Sequence, residues 1–167
     1  MPPHTSPLTL IIMGVSGCGK STVARALAAR RNGLFLDADD FHTPSNIAKM
    51  MRGEPLTDAD RAPWLACLAS EIAAPAHAHQ AIFLACSALK ASYRSTLADS
   101  NPRVRFVHLR GSPELIRSRL QQRENHFMPA ALVDSQFATL EEPTDAFSVE
   151  INQSLDAILA AIEQKFP

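Results

Sequence analysis

An α/β fold with a parallel sheet covered on both faces is predicted by two features of the chain. Near-continuous apolar runs of strand length alternate with segments of helical periodicity, the pattern of strands buried on both sides. The first of these runs ends in a glycine-rich turn that opens directly into a helix, as the first βα unit of such a sheet would.

Taken in order, Leu8 to Met13 is an apolar run and reads as a buried strand, with Ser21 to Arg30 as the helix after it. Leu34 to Asp37 is a short second strand, followed by a helical stretch around Ser45 to Met51 and another from Asp58 to about Ala73. Ala81 to Cys86 is a third strand and Val104 to Leu109 a fourth. Ser112-Pro113-Glu114 has the chemistry of a helix start: a capping hydroxyl, proline in the first turn, then an acid at the positive dipole end. Phe147 to Ile151 is the expected fifth strand. Leu155, Ile158, Leu159 and Ile162 fall on one stripe of a final helix. Ligands of such sheets bind at the carboxyl ends of the strands. The loops after Met13, Asp37, Cys86 and Leu109 should therefore converge.

The 167 residues suit one domain, expected to span 1–167, with a loose tail over 1–7, where three prolines fall. A net charge of −1 gives no general pull toward nucleic acid or an anionic membrane, and neither is expected as a partner. Three scattered cysteines, Cys18, Cys67 and Cys86, make neither a disulfide framework nor a zinc pattern, so a reducing, cytoplasmic setting is expected. The N-terminus lacks a basic segment ahead of its short apolar run, and no signal peptide is expected. No apolar stretch is long enough to span a bilayer.

Gly14-Val15-Ser16-Gly17-Cys18-Gly19-Lys20-Ser21 matches G-x-x-x-x-G-K-[ST] in full, between a predicted strand and a predicted helix. Its glycines let successive backbone N–H groups turn toward phosphate oxygens, and the helix dipole that begins before Thr22 adds a favourable field. Lys20 is a mobile charge for the β and γ phosphates, and the Ser21 hydroxyl is a ligand for Mg²⁺. ATP and Mg²⁺ are thus the expected cofactors. No Asn-Lys-x-Asp segment, the guanine signature, is present.

Asp37-Ala38-Asp39-Asp40-Phe41-His42 follows the second strand, on the edge expected to carry the phosphate loop. A carboxylate at Asp37 can support Mg²⁺ or accept a proton from an attacking hydroxyl. Asp39 points the same way if the chain stays extended. Asp40 reads as a solvated loop acid. His42 is as well suited to a structural hydrogen bond as to substrate contact. Lys49 and Arg52, three apart on a predicted helix, are candidate cations for a substrate carboxylate.

The chain resembles the gluconokinases of the small P-loop type, relatives in fold of shikimate kinase and the nucleoside monophosphate kinases. The resemblance lies in GVSGCGKST at 14–22, LDADDFH at 36–42, NIAKMMRGEPLTDADRAPWL at 46–65, CSALKASYR at 86–94 and HFMPAALVDSQFATLEEP at 126–143. The Gly-Glu-Pro-Leu, Asp-Arg-x-Pro-Trp and Cys-Ser-Ala-Leu-Lys runs are far more specific than the phosphate loop. The resemblance implies a three-layer α/β/α kinase fold with a helical lid, ATP-dependent phosphorylation of D-gluconate to 6-phosphogluconate, and a homodimer. It places the lid at about 121–136. Arg123 is its first contact with the nucleotide, Arg119 packs on adenine or phosphate, Arg117 is left to solvent, and His126 belongs to the lid and its substrate side.

The family pattern after the second strand is Asp-Gly-Asp, and alanine stands at position 38 here. Cys18 sits where many relatives carry a small polar residue or alanine. At a helix N-terminus beside Lys20, its thiol is expected to have a lowered pKa. After the third strand, Cys86 and Ser87 replace the metal-linked aspartate of many P-loop enzymes, shifting that role to Asp37. Ser87 either caps the next helix or touches substrate. Lys90 and Arg94, four apart, either neutralise a carboxylate or lie on a solvated face. His77 and His79 have no neighbouring acid or cysteine in sequence and are not expected to bind metal. Trp64 is expected in the core or the pocket wall. Two rivals share these features: a kinase for another hydroxy acid or a nucleoside monophosphate, and a non-catalytic nucleotide sensor. The specific runs weigh against the first, and intact Lys20, Ser21, Asp37 and Asp39 against the second.

Overall fold

The strand expected at the phosphate loop is the best-buried element of the protein. In the computed structural model, which describes residues 7–123 and 130–167, β1 (Thr9–Met13) is buried along its whole length. The other strands are β2 (Leu34–Asp37), β3 (Ile82–Ala85), β4 (Val104–Arg110) and β5 (Phe147–Glu150). All pair in parallel, in the order β2-β3-β1-β4-β5. Thr9 stands opposite both Ile82 and Val104, so β1 has a neighbour on each side.

The helices are α1 (Lys20–Arg31), α2 (Pro44–Met51), α3 (Asp58–Ala73), α4 (Ala91–Ala98), α5 (Pro113–Gln121), α6 (Ala130–Thr139) and α7 (Leu155–Lys165). Alternate residues of β1 feed two cores, as the period of a strand requires. Leu10 and Ile12 pack with Val23 and Leu27 of α1, Ile116 of α5, and Leu159 and Ile162 of α7. Ile11 and Met13 pack with Leu65, Leu68 and Ile72 of α3 and Leu97 of α4. The result is the expected three-layer α/β/α arrangement.

Several boundaries follow from local chemistry. Ser112 accepts a hydrogen bond from the Leu115 N–H, capping α5 as its sequence predicts. Thr57 and Asp60 form a reciprocal capping box at the start of α3. One expectation fails here. Ser87 does not cap α4, whose N-cap is Lys90. Instead the Ser87 carbonyl accepts from the Gly14 N–H at 3.2 Å, tying the loop after β3 to the start of the phosphate loop.

Candidate active site

The loops after β1, β2 and β3 meet in a cavity of about 480 Å³, with Lys20, Ser21, Asp37, Asp39 and Ser87 in its wall. The convergence expected of strand carboxyl ends is therefore found for three of the four loops. The fourth, after β4, lines a separate cavity of about 410 Å³, whose wall includes Val15 of the phosphate loop.

Two glycines shape the phosphate loop for identifiable reasons. Gly14 has φ 146°, and a Cβ there would lie 2.7 Å from the Cys18 Sγ and 2.9 Å from the Leu109 carbonyl oxygen. Gly17 has φ 83°, and its Cβ would press on Leu120 of α5 at 3.0 Å. At these two positions the loop is held against β4 and α5 with no room for a side chain. Lys20 donates from Nζ to the Val15 carbonyl at 3.0 Å, which folds its ammonium back over the loop. Ser21 donates from Oγ to Asp37 Oδ2 at 3.3 Å. The other Asp37 oxygen accepts from the Asp39 N–H at 3.0 Å.

Asp39 reaches the cavity by a different route from the one its spacing suggests. The chain does not stay extended but enters a 3₁₀ turn over Ala38–Phe41, for which Asp37 is the N-cap. Ala38 is buried and is not among the positive-φ residues, so alanine fits this turn without backbone strain. The Asp39 carboxylate is open to solvent at the cavity mouth. Protein nevertheless walls it at longer range. That desolvation, reinforced by the charge of Asp37, raises its pKa above the ordinary carboxylate value.

His42 lies behind Asp39. Its ring stacks on Trp64 at 4.2 Å between centroids, and its Nε2 stands 3.9 Å from Asp39 Oδ1. Asn46 Nδ2 approaches His42 Nδ1 at 3.4 Å, which assigns the proton of a neutral ring to Nε2 on the Asp39 side. Burial holds the ring's pKa below its usual value. Trp64 in turn donates to the Ala38 carbonyl at 2.7 Å. The imidazole therefore has the structural bonding that its sequence context allowed, and it stands beside Asp39 beyond hydrogen-bond distance.

The cations expected to meet a substrate carboxylate all have partners in the protein. Lys49 lies in the last turn of α2, and Arg52, its C-cap, continues that turn with an N–H bond to the Ala48 carbonyl at 3.2 Å, so the two stand three apart as their spacing predicts. Lys49 bonds to Asp60 at 2.7 Å, and this holds the Asp60 carboxyl down at about 2. Arg52 pairs with Glu54 at 2.9 Å. Lys90 donates to both Asp58 oxygens at 3.1 Å, and the Tyr93 hydroxyl donates to the same carboxylate.

Arg94 is buried, which corrects its expected place on a substrate-facing or solvated helix face. Its guanidinium donates to the carbonyls of Ala88 at 2.7 Å, Leu89 at 3.1 Å and Glu141 at 2.9 Å. It staples the Ser87 loop, where Ala88 sits at φ 47°, to the segment after α6. Hydrogen bonds from a charged donor contribute about 1.5–3 kcal/mol each. Arg94→Met removes those to the Ala88 and Glu141 carbonyls, while Leu89 keeps the Glu141 N–H as a donor, so a destabilisation of about 3 kcal/mol is expected. Thermal unfolding should then fall by about 6–12 °C. A fall below about 2 °C would show that the staple contributes nothing to stability.

Arg119 and Arg123 line a further cavity of about 350 Å³ beside Gly17, Cys18 and Thr22, and Arg123 also borders the main cavity. Arg119 donates to the Ile151 carbonyl at 2.5 Å. Arg117 pairs with Asp134 of α6 in an ion pair exposed to solvent. His126 and the rest of 124–129 lie outside the described residues. Cys18 reverses its expectation: it precedes the N-cap Gly19 and is buried, and burial pushes its thiol pKa up. Cys86 is pushed up to about 12 for the same reason. His77 is paired with Glu71 at 2.9 Å, and among the described residues no three His, Cys, Asp or Glu side chains gather around one point. Sequence reasoning missed Gln136, which reaches the phosphate loop from α6, 120 residues away in the chain.

A phosphate loop on the central strand, a carboxylate beside its serine and a three-layer α/β/α fold together define a small P-loop kinase. A family model described as an AAA domain matches residues 10–143. The gluconokinase of Gluconobacter oxydans (strain 621H) is 50% identical over 139 residues, covering 83% of this chain and 78% of that protein. The thermoresistant gluconokinase of Escherichia coli (strain K12) is 42% identical over 155 residues, covering 90% and 89%. The crystal structure of a gluconokinase from Sinorhizobium meliloti 1021 superposes with a TM-score of 0.83 at 40% identity, covering 92% of this chain and 88% of that one. The chain belongs to the gluconokinase family.

Proposed function

We propose that this protein transfers the γ-phosphoryl group of ATP to the 6-hydroxyl of D-gluconate, giving 6-phospho-D-gluconate. The observation that carries this reading is the single cavity in which the phosphate-loop Lys20 faces Ser21, Asp37 and Asp39, in a chain of the gluconokinase family. The loop over 14–22 receives the triphosphate. Lys20, released from the Val15 carbonyl, follows the β and γ oxygens as charge moves between them.

Ser21 and Asp37 are hard oxygen donors side by side, which suits Mg²⁺ held mainly by its nucleotide's phosphates. When bound, that ion neutralises phosphate charge. Asp39 orients the acceptor hydroxyl and takes its proton, helped by a pKa raised toward the working range. Arg123, on the border of both cavities, supplies positive charge near the transferred group, and Arg119 lies toward the nucleotide side. Ser87 contacts substrate from the floor. Lys90, Lys49 and Arg52 are reserve cations that meet the gluconate carboxylate only by exchanging their present acids. Arg94 drops out of the substrate set, because its guanidinium already holds three carbonyls.

A single working domain over 1–167, a lid over about 121–136 with His126 in it, a homodimer and a cytoplasmic setting belong to the same proposal. Exposed Ile47 and Met51 on α2 offer apolar surface for a dimer, while Met50 between them borders the main cavity. Among the described residues no helix is long and apolar enough to cross a membrane.

The test is ADP release with ATP·Mg²⁺ and a panel of D-gluconate, shikimate, other sugar acids and nucleoside monophosphates. Release with gluconate alone is the expected result. No release with gluconate, from folded protein that binds ATP, would overturn the assignment.

A further inference from the structure

The chain touches the phosphate loop on either side of residues 121–129. Leu120, near the end of α5, packs against Gly17, and Gln136 of α6 bonds to Ser16. The second contact is unusual in using both ends of one carboxamide on one residue. Gln136 Oε1 accepts from the Ser16 N–H at 2.6 Å, and Gln136 Nε2 donates to Ser16 Oγ at 2.8 Å. An amide offers an acceptor and a donor at fixed separation, and a serine offers a backbone donor and a hydroxyl acceptor. The two sets match, so turning the Ser16 N–H away loses one bond and changing the Ser16 rotamer loses the other. Both residues stand in the wall of the cavity that holds Lys20 and Asp39.

The geometry points to Gln136 as a positioning residue for phosphoryl transfer, a two-point clamp that fixes the Ser16 peptide and hence the shape of the phosphate loop. The reason is entropic. A glycine-rich loop loses more freedom on becoming ordered than other backbone, and a loop ordered beforehand gives up less when phosphate arrives. Gln136 acts through Ser16 and touches neither the transferred group nor the acceptor. The clamp also makes the placement of α6 a condition for a competent loop. It rests on the kinase reading only in taking the ligand to be ATP.

The test is calorimetric titration of the Mg²⁺ complex of a non-hydrolysable ATP analogue into the full chain. Gln136→Met keeps the side chain's length and its packing on α6 while removing both bonds. It should raise the nucleotide Kd at least about tenfold and leave the KM for gluconate within about twofold. Ser16→Ala breaks half of the clamp without touching α6. Because the two residues act as one unit, the double variant should bind no worse than Gln136→Met alone. The proposal is overturned by a nucleotide Kd within about twofold of the native value. Additive losses in the double variant, or parallel rises in nucleotide Kd and gluconate KM, overturn it as well. Tighter binding would also do so, by showing that the carboxamide occupies a donor the phosphates need. The titration reads the clamp whatever the acceptor is, so failure of the gluconate assignment leaves this result intact.

Discussion

Lys20→Ala is expected to lower kcat/KM for gluconate by about 10³-fold, the upper range for removing one preorganised charge contact from a phosphoryl or acyl transition state. The expectation follows from where the ammonium sits. Its described partner is a single backbone carbonyl, that of Val15 at 3.0 Å, at the rim of the cavity that receives the phosphates. That bond is weak enough to exchange for phosphate and holds no distant element in place. The variant should therefore fold as the native protein does, with an unchanged thermal transition. A KM change alone would mean that Lys20 binds ground state and transition state equally, whereas loss in kcat assigns it to the transfer itself. A kcat within about tenfold of native would break the assignment.

The second large effect is expected at the paired carboxylates, and it separates their roles. Asp39→Asn should reduce kcat by about 10²–10⁴-fold, the usual range for general acid–base catalysis, with no change in the Mg²⁺ concentration needed for half-maximal rate. Asp37→Asn should raise that Mg²⁺ concentration, because it neutralises the carboxylate beside the Ser21 hydroxyl. If Asp39→Asn shifts the Mg²⁺ requirement and Asp37→Asn does not, the two assignments are exchanged.

The pH profile adds a sign. Burial and the charge of Asp37 raise the Asp39 pKa from 3.8. A base must be deprotonated, so kcat/KM should rise with pH through a midpoint above that ordinary value. Stability runs the other way. The folded state holds this proton more tightly than the unfolded chain, so stability falls as pH climbs from 3.8 through the raised folded value and stays lower above it. Asp39→Asn cannot ionise. It should therefore melt no lower than native protein at neutral pH while losing activity. A lower melting temperature for Asp39→Asn would contradict the direction of the shift.

Much of this was written in local spacing. The apolar runs 8–13, 34–37, 81–86 and 104–109 are strands because both faces of a parallel sheet are covered, and the structure confirms each to within two residues. Ser112 and Thr57 cap helices by bonds that span three residues, so their sequence neighbours suffice to announce them. The phosphate loop is likewise contiguous. After the second strand, spacing predicts the place but not the route: extended alternation expects Asp39 on the side of Asp37, and both line one cavity, but Asp39 arrives there through the 3₁₀ turn over Ala38–Phe41.

Chain order alone determined the sheet, the two-sided core and the position of the nucleotide-binding turn, because periodicity and caps are properties of a few consecutive residues. Only the tertiary structure decided which charges are free and which are held. Lys49 meets Asp60, Lys90 meets Asp58 from 32 residues away, Arg94 meets the Glu141 carbonyl, and Gln136 meets Ser16 from 120 residues away. It also buried Cys18, reversing the thiol's expected acidity. Such pairings depend on which elements the core brings together, and desolvation depends on everything packed around a group. Neither quantity is carried by a residue's neighbours along the chain.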